Sequence, residues 1–322
     1  MLERIKSSKH KLLDQSNIPI IAGKWIFNII RVVLILSFCF VILYPILYMV
    51  SQGIRSWEDL YDPSVVWIPK HFSLKSMKLA IEGMDYAKSA LSSGGIALLC
   101  TVAQLVCCSM AGYGFARFRF PFKKLLFGLC LFSVVVPMQM VIIPTFMQIK
   151  HFNVLGIGAL LNLFTGSYPD FNNTIWGVLI PALLGNGIRG SMYIFIFRQF
   201  FRGIPKDLED AAHIDGAGHV RSFLSIIIPN AGAPFLVVFI LSVIWYWNDG
   251  LVVNFFYNSA PSIAMALLNI VSNNTLAGTE YTVTEVLAIQ QAGAILMVLP
   301  PLVMFLFLQR FFVESIDKTG LK

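Results

Sequence analysis

Charged residues divide this 322-residue chain into long apolar runs. Uncharged stretches separate Arg31 from Arg55, Lys88 from Arg117, Lys124 from Lys150, Arg221 from Asp249 and Glu285 from Arg310. Each exceeds the roughly 20 residues that a helix needs to cross the hydrocarbon of a bilayer. Another run, Phe171 to Phe197, is interrupted only by Arg189. Backbone in lipid must satisfy its own hydrogen bonds, and runs of this length do so as helices. The pattern predicts an all-α membrane protein with six transmembrane helices, at about 32–52, 90–113, 125–148, 175–197, 229–248 and 286–308. Residues 1–31 precede this transmembrane domain (32–310), and 311–322 follow it as a tail.

The connections differ in character. Residues 51–88 mix Trp57, Tyr61 and Trp67 with acids and bases, so they are expected to fold against the membrane, where Trp and Tyr suit the interface. Residues 150–174 contain Gly156, Gly158, Gly166 and Pro169 and read as irregular. The stretch 251–279 is uncharged, but Asn254, Asn258, Ser259, Pro261, Ser272, Asn273 and Asn274 dilute it. It reads as an outer loop with a surface helix rather than a seventh span. Pro137, Pro144 and Pro181 predict kinks.

Composition sharpens this picture. Only 13% of residues are charged, against roughly 25% in soluble domains. Bases gather on alternate sides: Arg4, Lys6, Lys9, Lys11, Lys24 and Arg31 before the first span, Arg117, Arg119, Lys123 and Lys124 after the second, Arg198, Arg202, Lys206 and Arg221 after the fourth. Because bases are retained inside, both termini are expected in the cytoplasm. The net charge of +7 then reflects orientation in a lipid bilayer, and no nucleic acid partner is expected. Five cysteines, all within spans, argue against a disulfide framework. The chain has no Gly-x-x-x-x-Gly-Lys-Ser/Thr loop for ATP and no His-Glu-x-x-His. His213 and His219 miss the i, i+4 spacing of paired helical ligands. No catalytic set, metal site or cofactor of its own is expected.

The connection 203–228 is the most informative segment. Pro205 suits a helix start. Asp207, Glu209 and Asp210 crowd the first turn, where the helix dipole favours anions. Leu208, Ala211, Ala212 and Ile214 form a small apolar stripe, and Gly216 permits the turn that ends it. A short amphipathic helix exposing small residues at the cytoplasmic surface is predicted.

This segment resembles the signature of binding-protein-dependent ABC importer permeases: Glu-Ala-Ala, three residues, Gly, nine residues, then Ile-x-Leu-Pro. Asp210, Ala211, Ala212, Gly216, Ile226, Ile228 and Pro229 fall on those positions, with Asp210 for the Glu and Ile228 for the Leu. The stretches Ala111–Phe118, Pro137-Met138, Ile214–Ala217, Trp247-Asn248-Asp249 and Pro300-Pro301 are similar to the maltose-type, carbohydrate-uptake subfamily. The resemblance covers roughly residues 90–322. It implies the type I ABC importer permease fold in a bacterial plasma membrane. It also implies a coupling helix seated on an ATPase, with Glu209, Asp210, Ala211, Ala212, Asp215, Gly216 and Ala217 as ATPase-coupling residues. The implied function is half of a translocation pore for a carbohydrate, an oligosaccharide foremost. The implied partners are a second, homologous permease, two ATP-binding subunits that carry the ATP, and an extracellular solute-binding protein. The chain itself would not be an enzyme. A permease for a non-sugar solute and an ion-coupled secondary carrier are the rival readings.

Candidate pore or substrate residues are Arg189, Asn186, Trp247 and Asn248. Arg189 is a base inside an apolar run, where an ionisable group is expensive unless it meets water or a partner. Asn186, Gly187 and Gly190 around it predict a break in the helix. The alternatives are that Arg189 sits at outer headgroups or pairs with Asp170 or Asp249. Aromatic residues 245–247 suit either sugar stacking or an interfacial belt.

Overall fold

The computed structural model describes residues 2–270 and 280–318, with side chains for 24–154, 156–270 and 280–311. The first helix, α1 (Leu2–Gly53), runs unbroken through residue 31. Val41 and Ile42 are each 68% exposed on it, as are large apolar side chains all round, which suits a helix bathed in lipid or covered by another chain.

A short polar fold follows. The helix α2 (Trp57–Leu60) is capped by the Ser56 hydroxyl, which accepts the Asp59 amide at 3.2 Å. Arg55 and Phe72 form an antiparallel bridge. Asp59 accepts the His71 amide at 2.7 Å and lies 2.9 Å from its Nδ1. The next helix, α3 (Lys75–Gly83), packs on the last helix of the chain.

The central element is α4 (Tyr86–Arg117). Then come α5 (Lys123–Val135) and α6 (Met138–Lys150), which turn through 111° instead of continuing as the expected span 125–148. The cause is local: Val136, before Pro137, is barred from helical backbone by the proline ring and is extended at ψ 123°. The connection expected to be irregular contains α7 (Ile157–Thr165), flanked by glycines at positive φ, Gly156 and Gly166.

The expected span 175–197 is two helices, α8 (Ile175–Leu183) and α9 (Gly190–Gly203). Gly185 at φ +73° and Arg189 at φ +59° leave the right-handed helix between them. Both helices pack on α4. At the α4–α9 crossing, a Cβ on Gly112 would lie 2.6 Å from Cβ of Phe197, so only glycine fits.

The cytoplasmic-loop candidate forms α10 (Asp207–Ile214) and α11 (His219–Ser222), followed by a π-helical turn at Phe223–Ile227. After it α12 (Ile228–Asn230) meets α13 (Gly232–Asn248), the pair bent by 79° with Ala231 at the corner. Next are α14 (Val252–Phe256) and α15 (Ile263–Leu268), and finally α16 (Val283–Lys318). The helix read as lying on a surface is part of the core: Ile263 at its start and Ile270 just beyond its end are fully buried in a cluster with Met84, Ile289 and Ala292. Apolar contacts with α16 and α4 outweigh the polar residues that dilute this stretch. Ser272, Asn273 and Asn274 lie outside the described residues.

Among the described residues, three helices are long and apolar enough to cross a membrane: Lys24–Gly53, Tyr86–Arg117 and Val283–Phe311. The two bent pairs bring this to five if each is one span. The sixth candidate is the pair divided at 184–189.

Candidate functional site

Two places carry the residues singled out in the sequence. The first is α10. Its first turn holds Asp207, Glu209 and Asp210, and its end is a Schellman turn. Gly216 at φ +83° places its amide on the His213 carbonyl (3.1 Å) and the Ala217 amide on the Ala212 carbonyl (2.9 Å). Leu208, Asp210, Ala211, Ile214, Asp215 and Gly216 are exposed; Ala212 and Ala217 are half-buried. Nothing lies within 4 Å of a Cβ built on Gly216, so this end of the helix is open to approach.

Glu209 departs from that face. It is 6% exposed and turned into the bundle. Arg117 Nε lies 2.5 Å from its Oε1, and the Tyr113 hydroxyl donates to Oε2 at 3.1 Å. The ion pair is held by charge at short range rather than by an aligned hydrogen bond. Arg117 also donates from Nη2 to the Ile204 carbonyl at 2.7 Å. Tyr113 and Arg117 are i, i+4 neighbours on the last turns of α4, so one face of that helix holds the first turn of α10 through Glu209 and the segment before it through Ile204. The sequence contains this signal: a Tyr and an Arg four apart where an uncharged run ends.

The second place is a cavity of about 720 Å³. Its walls are the Pro137 corner between α5 and α6, the break at 184–189, and the end of α13. The break is braced by polar groups that lipid could not satisfy. Gln104 on α4 donates to the Ile188 carbonyl at 3.1 Å, and Tyr246 on α13 accepts the Ile188 amide at 3.2 Å. Ser242 donates to Gln104 at 2.9 Å and accepts from Thr101 at 2.9 Å. A Cβ on Gly187 would lie 2.5 Å from both Gln104 Nε2 and the Tyr246 hydroxyl, and one on Gly190 would lie 2.2 Å from the Gly185 carbonyl oxygen. Glycine is what lets the chain turn this tightly.

Of the four pore candidates, Arg189, Asn186 and Asn248 line this cavity. Trp247 does not. It is 6% exposed on the far side of α13, where its Nε1 donates to the Met297 carbonyl at 2.9 Å. Residues two apart on a helix point in nearly opposite directions, so the cavity receives Trp245 instead. The Arg189 guanidinium carbon sits 4.4 Å from the centre of the Trp245 ring. Arg189 forms no ion pair with Asp170 or Asp249 among the described residues; Asp249 accepts the Val253 amide at 2.8 Å.

Known proteins share this architecture. A solved ABC transporter involved in the import of the acidic polysaccharide alginate has the same fold, with a TM-score of 0.68 over 89% of this chain and 96% of that one, at 20% identity. The chain is 29% identical over 289 residues to the maltodextrin transport system permease protein MdxG of Bacillus subtilis, covering 88% of this chain and 91% of that one. It is 27% identical over 289 residues to the osmoprotective compounds uptake permease protein GgtD of Synechocystis sp., covering 88% of each. It is 29% identical over 226 residues to the sn-glycerol-3-phosphate transport system permease protein UgpE of Yersinia pestis, covering 70% of this chain and 71% of that one. One family match runs over residues 105–318, from within α4 to the end of α16, and takes in the cavity lining, the Arg117–Glu209 pair and α10. The chain belongs to the family of binding-protein-dependent transport system inner membrane components.

Proposed function

We propose that this permease subunit forms half of the pore of an ATP-driven importer for a carbohydrate, with an oligosaccharide as the foremost candidate. A second, homologous permease supplies the other half. Two separate ATP-binding subunits hydrolyse ATP, and an extracellular solute-binding protein delivers the solute. The chain sits in a bacterial plasma membrane with both termini in the cytoplasm. The permeases for maltodextrin and sn-glycerol-3-phosphate among its relatives, and the alginate importer that shares its fold, support the substrate class.

The observation that carries the coupling role is the two-sided character of α10. One side, with Asp210, Ala211, Asp215 and Gly216, is open, and Ala212 and Ala217 border it. These small residues let an ATPase groove approach closely. The other side is tied by Glu209 to Arg117 and Tyr113 at the end of α4. A push on α10 thus reaches α4, and α4 reaches the cavity edge through Gln104. Switching by rigid movement of such packed elements is a common transporter device.

Gly216→Arg tests this reading. The space around Gly216 is open, so the new side chain would project into the docking face, and at φ +83° it would also strain the turn that ends α10. In the complete importer reconstituted in proteoliposomes, the variant should keep ATP hydrolysis and lose solute uptake. Uptake at the wild-type rate would refute the docking face.

A further inference from the structure

We infer that the cavity selects carbohydrates bearing a negative group, a carboxylate or a phosphate, and that Arg189 takes that group. This rests on the permease reading above. Among the described residues, Arg189 is the only base lining the cavity, and Asp249 is the only acid. Asp249 is committed elsewhere, accepting the Val253 amide at the start of α14. Arg189 has no carboxylate partner among the described residues. Its guanidinium carbon lies over the Trp245 ring, and among the described residues its N–H groups make no hydrogen bond or ion pair. The guanidinium edge matches a carboxylate or phosphate, which it binds through two parallel hydrogen bonds.

The placement of Arg189 is unusual in its backbone. At φ +59° it occupies a region that non-glycine residues seldom adopt, and structures keep such residues where the surroundings fix them. Here those surroundings are the Gln104–Ile188–Tyr246 bridge and the close-packed Gly187 and Gly190. A guanidinium in an apolar run is costly unless it faces water or finds a partner. A neutral sugar entering this space would strip its water and give no charge in return. An anion would give one. The volume, about 720 Å³, lies in the range of small-molecule sites. Asn186 and Asn248 bring amides to the same wall, suited to sugar hydroxyls.

The test uses the importer assembled from both permeases and the ATPase in nanodiscs, without the solute-binding protein. Calorimetric titration with an alginate disaccharide, glucose 6-phosphate and maltose compares carboxylate, phosphate and neutral probes. At least one acidic probe should bind about tenfold or more tighter than maltose, as one charge-assisted bidentate contact provides. The stronger of the two acidic arms identifies the group. Arg189→Gln should abolish the preference for the acidic probe over maltose, while Arg189→Lys keeps the charge without the fork and should retain part of it. The inference is overturned if maltose binds as tightly as both acidic probes, or if Arg189→Gln leaves acidic binding unchanged. ATP-driven uptake of the same three probes by the complete wild-type importer is measured in parallel. Loss of all uptake would sink the permease reading, whereas uptake with no acidic preference sinks only the assignment to Arg189.

Discussion

Replacing Glu209 with alanine asks whether α10 is anchored from within the chain. The Arg117 and Glu209 side chains are 7% and 8% exposed, which places the pair among buried rather than surface ion pairs. An exposed pair contributes about 0–1 kcal/mol. Removing one partner of a buried pair costs about 3–5 kcal/mol, because the remaining charge stays buried without its partner. The Tyr113 hydroxyl also loses its acceptor, while Arg117 keeps the Ile204 carbonyl. Taking roughly 2 °C per kcal/mol for a large domain, Glu209→Ala should lower the melting temperature by roughly 6–10 °C. The purified subunit in detergent, followed by tryptophan fluorescence on heating, gives the readout. Asp210→Ala, one residue along on the exposed side, should stay within about 0.5 kcal/mol of wild type in stability. Replacing both Arg117 and Glu209 with methionine should recover most of the loss, since an apolar pair leaves no unpaired charge. If Glu209→Ala melts with the wild type, or the double variant is as damaged as the single one, the anchor does not exist as described.

Two further predictions follow from packing and charge. Gly112→Leu forces a side chain into the α4–α9 crossing, where even a Cβ would lie 2.6 Å from Cβ of Phe197 and 3.1 Å from the Arg198 amide nitrogen. It should destabilise by about 1–3 kcal/mol or more and cut the yield of folded protein in membranes, whereas a wild-type melt would show that the two helices stand further apart. In the segment between α1 and α3, hydrogen bonding to Asp59 raises the His71 pKa above its usual value of about 6.5, aided by the charges of Asp59 and Glu58 and opposed by desolvation and Lys70. Burial pushes Asp59 up, but hydrogen bonds from His71 outweigh it and hold the carboxyl below its ordinary value. The His71 contribution to stability is therefore complete below its unfolded pKa and fades as pH rises through the folded one. The Asp59 contribution fades as pH falls through its own depressed folded pKa. NMR titration of the His71 ring should give a pKa above 6.5 that drops towards that value in Asp59→Asn; equal values in both proteins would contradict the contact.

The residue order of this chain determines a great deal. Uncharged runs place α1, α4 and α16, because a helix is the only way for so long an apolar stretch to satisfy its backbone in lipid. Local chemistry also determines α10, with acids in its first turn and Gly216 at its end, and the break around Gly185–Arg189. Such features depend on residues within a turn or two of one another. The tertiary structure decided the rest. It drew α15 into the core, turned Glu209 inward from a row of otherwise open residues, and chose Trp245 over Trp247 for the cavity. Each of those outcomes depends on which face of one helix meets another. Tyr113 and Glu209 are 96 residues apart, and Gln104 and Ile188 are 84 apart. A hydrophobic pattern gives the period of each helix but not the rotation at which two distant helices lock together, and that rotation is fixed only when their side chains pack.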